Sequence, residues 1–266
     1  MSIAIHQSYL TNNDCYKENR SLSVRGIMLH SVGCAQPSAM KFITTWNQPG
    51  VKKCAHGFID GNTGAVYQTL PWNLSGWHAG GSANHTHIGV EMCEPSTIRY
   101  TTGASFVDLD PSSTKSVVER TYSSAVLLFA QLCQKFSLNP LSDGVILSHK
   151  EGHHRGIASN HGDPEHLWDS IGLTMDGFRR AVQSAMGTGA SSQESAGPSS
   201  LPFLGKVTAD ALHIRSGPGT GTSIVGTIRD HGVYTIVETA SGPGASMWGK
   251  LKSGAGWVSL DYVTPV

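Results

Sequence analysis

This chain of 266 residues is short of three things: charge of one sign, paired cysteine and long apolar runs. Lysine plus arginine and aspartate plus glutamate both number 19, so the formal net charge is zero, and the sequence contains no basic block. Long-range attraction to polyanions is not built in, and nucleic acid is not the expected partner. No stretch reaches the length of a membrane span, and the opening MSIAIHQSYLTNN has neither the basic start nor the long apolar centre of a secretory signal. Cytosolic synthesis without a signal peptide, and no membrane partner, are the expectations. The five cysteines, Cys15, Cys34, Cys54, Cys93 and Cys133, are odd in number and have no paired spacing. That argues against a disulfide framework and for reduced synthesis.

Histidine is plentiful, with 13 residues. His30 closes the apolar run VRGIMLH and His149 closes VILSH, both read as strand ends, while Asp163 follows in the loop SNHGDPEH. Two strand ends and a loop can converge their donors on one cation. Two imidazoles and a carboxylate leave one corner of a tetrahedral Zn2+ open, the arrangement of a hydrolytic site. Each ligand also has a plainer reading. His30, after Ile27 and Leu29, suits a hydrogen-bonded core histidine; His153 and His154, in a polar loop, compete with His149; Asp163, before Pro164, suits a turn cap. In HIGVEMCE, Ile88, Val90 and Met92 face one side of a strand and Glu91 the other, so its carboxylate can reach the metal or form an exposed ion pair. Cys34 beside His30 offers a competing Cys-His chemistry, although no cysteine sits in a recognisable nucleophile turn.

Along the chain, residues 24–30 read as a buried strand and PSAMKFITTWNQ as a short helix with Met40, Ile43 and Trp46 at helical spacing. HGFID and AVYQTL flank GNTG as a hairpin. The loop GWHAGGSANHTH is too polar for core, and its His78 and His87 either touch substrate or are simply solvated. An amphipathic helix spans 116–136, and MDGFRRAVQSAM is the last helix of this half. Strands alternating with helices imply an α/β domain over 1–187, a mixed central sheet flanked by helices with ligands at strand ends. The small, polar run GTGASSQESAGPSS marks a flexible linker over 188–203. Beyond it, short β-rich runs between Gly and Pro turns argue for a small all-β barrel over 204–266. Its Trp248, Trp257 and Tyr262 are either a binding face or core.

Four strings in order, IMLHSVG, HGFIDGNTGAVYQTLP, WHAGGSANHTHIGVEMCEP and LSHKEG…SNHGDPEHLW, resemble the zinc-dependent N-acetylmuramoyl-L-alanine amidases of phages and bacteria, relatives of the peptidoglycan recognition proteins. The resemblance covers roughly 20–182. It implies peptidoglycan as substrate, Zn2+ on His30, His149 and Asp163, and Glu91 as general acid/base. Related enzymes often carry lysine where this chain has His161; a histidine there can still donate a hydrogen bond to an oxyanion. LHIRSGPG, VGTI and GWVSLDYV resemble a bacterial SH3-like domain, which implies anchoring to the cell wall. The expected protein is a phage or prophage endolysin acting on the wall after release. An autolysin of the same activity, a zinc peptidase cutting within the stem peptide and a non-catalytic peptidoglycan-binding protein stay open.

Overall fold

The computed structural model describes residues 2–187 and 201–266, which fall into two compact units. The expected linker over 188–203 lies, up to residue 200, outside the described residues.

In the first unit six strands form one mixed sheet. In chain order they are β1 (Ile5–Gln7), β2 (Gly26–Ser31), β3 (Gly57–Ile59), β4 (Val66–Gln68), β5 (His87–Met92) and, later, β8 (Ile146–Ser148). The spatial order is β1-β4-β3-β5-β2-β8, and every neighbouring pair is parallel except the β3–β4 hairpin. All six residues of β2 and of β5 are buried, because both faces of this sheet are covered. A separate hairpin joins β6 (Ile98–Tyr100) to β7 (Phe106–Asp108).

Helix α3 (Pro111–Phe136) covers one face together with α6 (Met175–Gly187). It begins five residues before the expected start at 116, because the Asp110 side chain accepts from the Ser113 N–H and Pro111 occupies the first turn. Against Ile27, Leu29, Ile88 and Val90 it packs Val118, Ala125, Phe129 and Leu132. On the opposite face lies α2 (Ala39–Trp46), which buries Ala39, Phe42, Ile43 and Trp46 against Phe58. Met40, expected in this stripe, is 47% exposed. The buried set repeats as i, i+3, i+4 and i+7, and Met40 falls off that face by a full residue's rotation.

The sheet's register places the candidate residues. His30 and Phe58 are both partners of Glu91, on the neighbouring strands β2 and β3. All three therefore stand on the face away from Ile88, Val90 and Met92. β8 ends at Ser148, which caps α4 (His149–His154) through a capping box with Glu151. His149 thus opens a helix instead of closing a strand, and His153 and His154 belong to that helix instead of to a loop. α5 (Glu165–Trp168) follows the Asp163 loop, and α1 (Asp14–Glu18) precedes β2. No helix among the described residues is long and apolar enough to cross a membrane.

The second unit is a single antiparallel sheet of seven strands: β9 (Phe203–Val207), β10 (Leu212–Arg215), β11 (Ile224–Ile228), β12 (Val233–Gly242), β13 (Ala245–Leu251), β14 (Trp257–Ser259) and β15 (Val263–Pro265). Their order is β11-β10-β14-β13-β12-β9-β15, and no pairing among the described residues joins β11 to β15 to close the expected barrel. Val207, Leu212, Ile228, Ile236, Leu251 and Val258 form its core. Trp248 and Trp257 are buried while Tyr262 is exposed, so these three do not share one open face.

Candidate functional site

Ligand atoms of His30, His149 and Asp163 lie within 4.8 Å of one another, and all three residues are buried. β2 delivers His30 at its carboxyl end, the first turn of α4 delivers His149, and the loop before α5 delivers Asp163. Convergence at the carboxyl ends of parallel strands is where open α/β sheets place ligands. The two Nδ1 atoms are 2.9 Å apart, His30 Nδ1 is 3.4 Å from Asp163 Oδ2, and His149 Nδ1 is 3.6 Å from Asp163 Oδ1. Donors about 2.0–2.1 Å from a tetrahedral zinc stand about 3.3 Å from each other, so the spacing and the two-imidazole, one-carboxylate chemistry both fit that ion.

Hydrogen bonds behind the cluster decide which ring atoms face inward. His78 Nε2 is 3.0 Å from the His87 carbonyl, which only accepts, so His78 carries its proton there. Burial, reinforced by His30, holds this ring well below the usual histidine range, so it is neutral and its Nδ1 accepts. His30 Nε2, 2.9 Å away, must then donate, so Nδ1 is the His30 atom aimed into the cluster, where its proton goes to Asp163 and, once that proton is lost, it offers a lone pair to a cation. On the other side His149 Nε2 meets Ser159 Oγ at 3.2 Å, and that hydroxyl is 3.2 Å from the Ala79 carbonyl. Each ring thus has a polar partner on Nε2 and turns Nδ1 inward.

Burial and the charge of His30 hold His149 down at about 4. Burial alone would raise the Asp163 carboxyl, but its hydrogen bond to His30, the charges of His30 and His149 and the Ser31 N–H hold it below the usual carboxylate value. Burial lowers His30, yet the Asp163 hydrogen bond and the nearby Glu91 raise it on balance. The cluster therefore favours positive charge between its donors.

The structure brings Glu91 to this face, one strand from His30, at 7% exposure. Burial pushes its carboxyl up to about 7, although His30 pulls the other way. His161 is exposed and lies over His149 with ring centroids 4.4 Å apart, its Nδ1 3.1 Å from Ser159 Oγ. His78 is present too, but beneath His30. His87 is not brought here. It starts β5, opposite Gly26, while Glu91 pairs with His30 four residues on, roughly 13 Å along the strand. Its Nε2 donates to the Gly144 carbonyl and its Nδ1 accepts from the Thr86 hydroxyl, so both ring nitrogens are occupied. The Cys34 thiol is pushed up by burial and by Glu94, the reverse of what a nucleophilic cysteine needs.

Sequence reading passed over one neighbouring network. Glu94, fully buried, accepts from the Gly33 N–H at 2.9 Å and from the Tyr100 hydroxyl at 2.7 Å, and that hydroxyl lies 2.6 Å from His166 Nε2. Burial pushes Glu94 up to about 7. Its three members come from separate segments, and only Glu94, three residues after Glu91, had a sequence cue.

A family model described as N-acetylmuramoyl-L-alanine amidase matches residues 20–166, more than half of the chain. Among solved structures, the Staphylococcus aureus hydrolase AmiA, in complex with its ligand, is similar with a TM-score of 0.51 at 16% identity, over 70% of this chain and 84% of that one. The catalytic domain of XlyA is similar with a TM-score of 0.49 at 20% identity, over 68% of this chain and 99% of that one. A mutant endolysin from Bacillus subtilis gives 0.47 at 20% identity, over 68% and 99%. No curated protein matches the chain in a sequence comparison.

Proposed function

The chain belongs to the N-acetylmuramoyl-L-alanine amidase family, and from that membership we propose that it is a zinc-dependent hydrolase of the amide between N-acetylmuramic acid and L-alanine in peptidoglycan. The observation that carries the zinc reading is the convergence of His30, His149 and Asp163, with the ring partners of both histidines turning Nδ1 inward. These three residues would hold the ion. When bound, zinc supplies Lewis acidity and a water acidified to a pKa of about 7. Glu91, buried one strand from His30, takes the proton from the attacking water and returns it to the departing amine as the carbon–nitrogen bond breaks. His161, on the exposed rim over His149, donates to the oxygen on which negative charge develops. Products are a free lactyl carboxylate and a peptide with a new amino terminus.

The C-terminal sheet we read as an SH3-like wall-binding module and the whole as a phage or prophage endolysin, made in the cytosol and acting on the wall after release. Support for the module is its small all-β core and the LHIRSGPG and GWVSLDYV strings, which lie on β10 and around β14. Mass spectrometry of fragments released from purified peptidoglycan tests the reaction. New L-alanine amino termini paired with free lactyl carboxylates are expected, lost on chelation and restored by zinc. Cuts inside the stem peptide would replace this reading with a zinc peptidase.

A further inference from the structure

Asp163 also borders a cleft of about 570 Å3, whose other walls include Tyr100, Lys150, His153, His154 and His161. That size is typical of small-molecule sites. Residues 150, 153 and 154 are spaced i, i+3 and i+4 on α4, so they share one helix face, and that face lines the cleft. The helix's acid, Glu151, is used elsewhere: it closes the capping box with Ser148 and pairs with Arg179. Asp163 is the one acidic residue among those lining the cleft, and its carboxylate is engaged by His30, His149 and the Ser31 N–H. Lys150 enters no ion pair within 4.0 Å among the described residues; Glu165 feels its charge from farther off. His153 and His154 have each other as ring neighbours, with centroids 6.0 Å apart.

A wall with a fixed ammonium and several imidazoles, and with its own carboxylates committed elsewhere, selects for an anion. On the muramoyl side of the scissile amide the lactyl carboxyl is tied up in the bond and the amino sugar is acetylated, so that side is neutral. Charge in the substrate sits on the peptide. Resting on the amidase reading above, we propose that Lys150 and His153, flanked by His154, form a subsite for a free carboxylate of the stem peptide. Lys150 supplies the charge and the imidazole N–H groups supply directed donors. The enzyme then discriminates among walls by whether stem carboxylates are free or amidated.

The test uses the full chain and two N-acetylmuramoyl peptides of one sequence, with every carboxylate free in the first and converted to carboxamide in the second. Wild type should show a KM about tenfold lower for the free acid, with similar kcat, a modest effect suited to half-exposed charged hydrogen bonds. In Lys150→Gln and His153→Gln the ratio of the two KM values should collapse toward one, and Lys150→Arg should keep it. Equal KM values in wild type, or a ratio unchanged in both glutamine variants, overturns the subsite. If neither peptide is cut, the amidase reading fails separately, and calorimetric titration of the same two peptides still decides the subsite. Tighter binding of the acid, lost in Lys150→Gln, supports it; equal binding overturns it.

Discussion

Glu91 illustrates how one buried carboxyl ties stability to chemistry. Its folded value of about 7 lies above the ordinary 4.5 because burial penalises the charged form. The folded chain therefore keeps a proton that the unfolded chain releases between those values. That contribution to stability is complete below about 4.5 and is lost as pH rises through about 7, at most on the order of 3 kcal/mol. The base proposed for the reaction works only when ionised, and a cation held by His30 favours that form, so turnover should rise at lower pH than that at which the metal-free chain loses this stability. In the zinc-loaded wild type the ion's charge favours ionised Glu91, so kcat should climb with pH at a midpoint below about 7. Glu91→Gln should lose roughly 100-fold or more in turnover, flatten that limb, keep its zinc by elemental analysis and, after chelation of the metal, melt higher than wild type at pH 8. Near-normal turnover in this variant would make Glu91 structural.

At the scale of elements, β5 both supplies Glu91 and makes room for His78. A Cβ on Gly89 would meet the His78 ring at 2.3 Å, so the histidine that holds the His30 tautomer lies directly on this glycine. A Cβ on Gly26, by contrast, would meet the Val145 carbonyl at 2.4 Å and the His87 ring at 2.7 Å, at the other end of the strands. Both alanine variants should lose about 1–3 kcal/mol in denaturant unfolding. Gly89→Ala alone should weaken zinc binding, by roughly 10–100-fold, because it displaces a partner behind a ligand. Equal affinity loss in both would mean a general loosening of the sheet, and none in Gly89→Ala would remove His78 from the argument. This contrast also marks what could be read in advance. Periodicity was enough for β2, for the GNTG hairpin and for the buried stripe of α3, since each pattern is local. It misled at Met40, because in PSAMKFITTWNQ two apolar stripes are nearly equivalent until Phe58 chooses Phe42, which stacks on it at 5.5 Å. Ser148 looked like the last step of a strand ending at His149, although the Ser-x-x-Glu spacing of 148 and 151 is a helix start. Neither the place of His78 beneath His30 nor the Glu94–Tyr100–His166 contacts follow from any local spacing, because both depend on how distant loops close over the sheet.

For the molecule as a whole, each unit has its own core, one around Ile27, Val90 and Phe129 and the other around Val207, Ile236 and Val258. All residues assigned to the reaction and to the carboxylate subsite come from the first. Residues 1–187 alone should therefore hydrolyse soluble muropeptides within about twofold of the full chain's rate. On intact walls the truncated form should be slower. A tethered binding module raises the substrate concentration met by the catalytic half, and that gain exists only when the substrate is a surface. The complementary piece should be cut at residue 201, not 204, because Phe203 already pairs with Ile236 in the β9–β12 ladder. Residues 201–266 should then sediment with purified walls, while the 1–187 piece sediments less. If 201–266 stays in the supernatant with the walls of every host tested, and 1–187 lyses those walls at the full rate, the anchoring role of the C-terminal sheet is wrong.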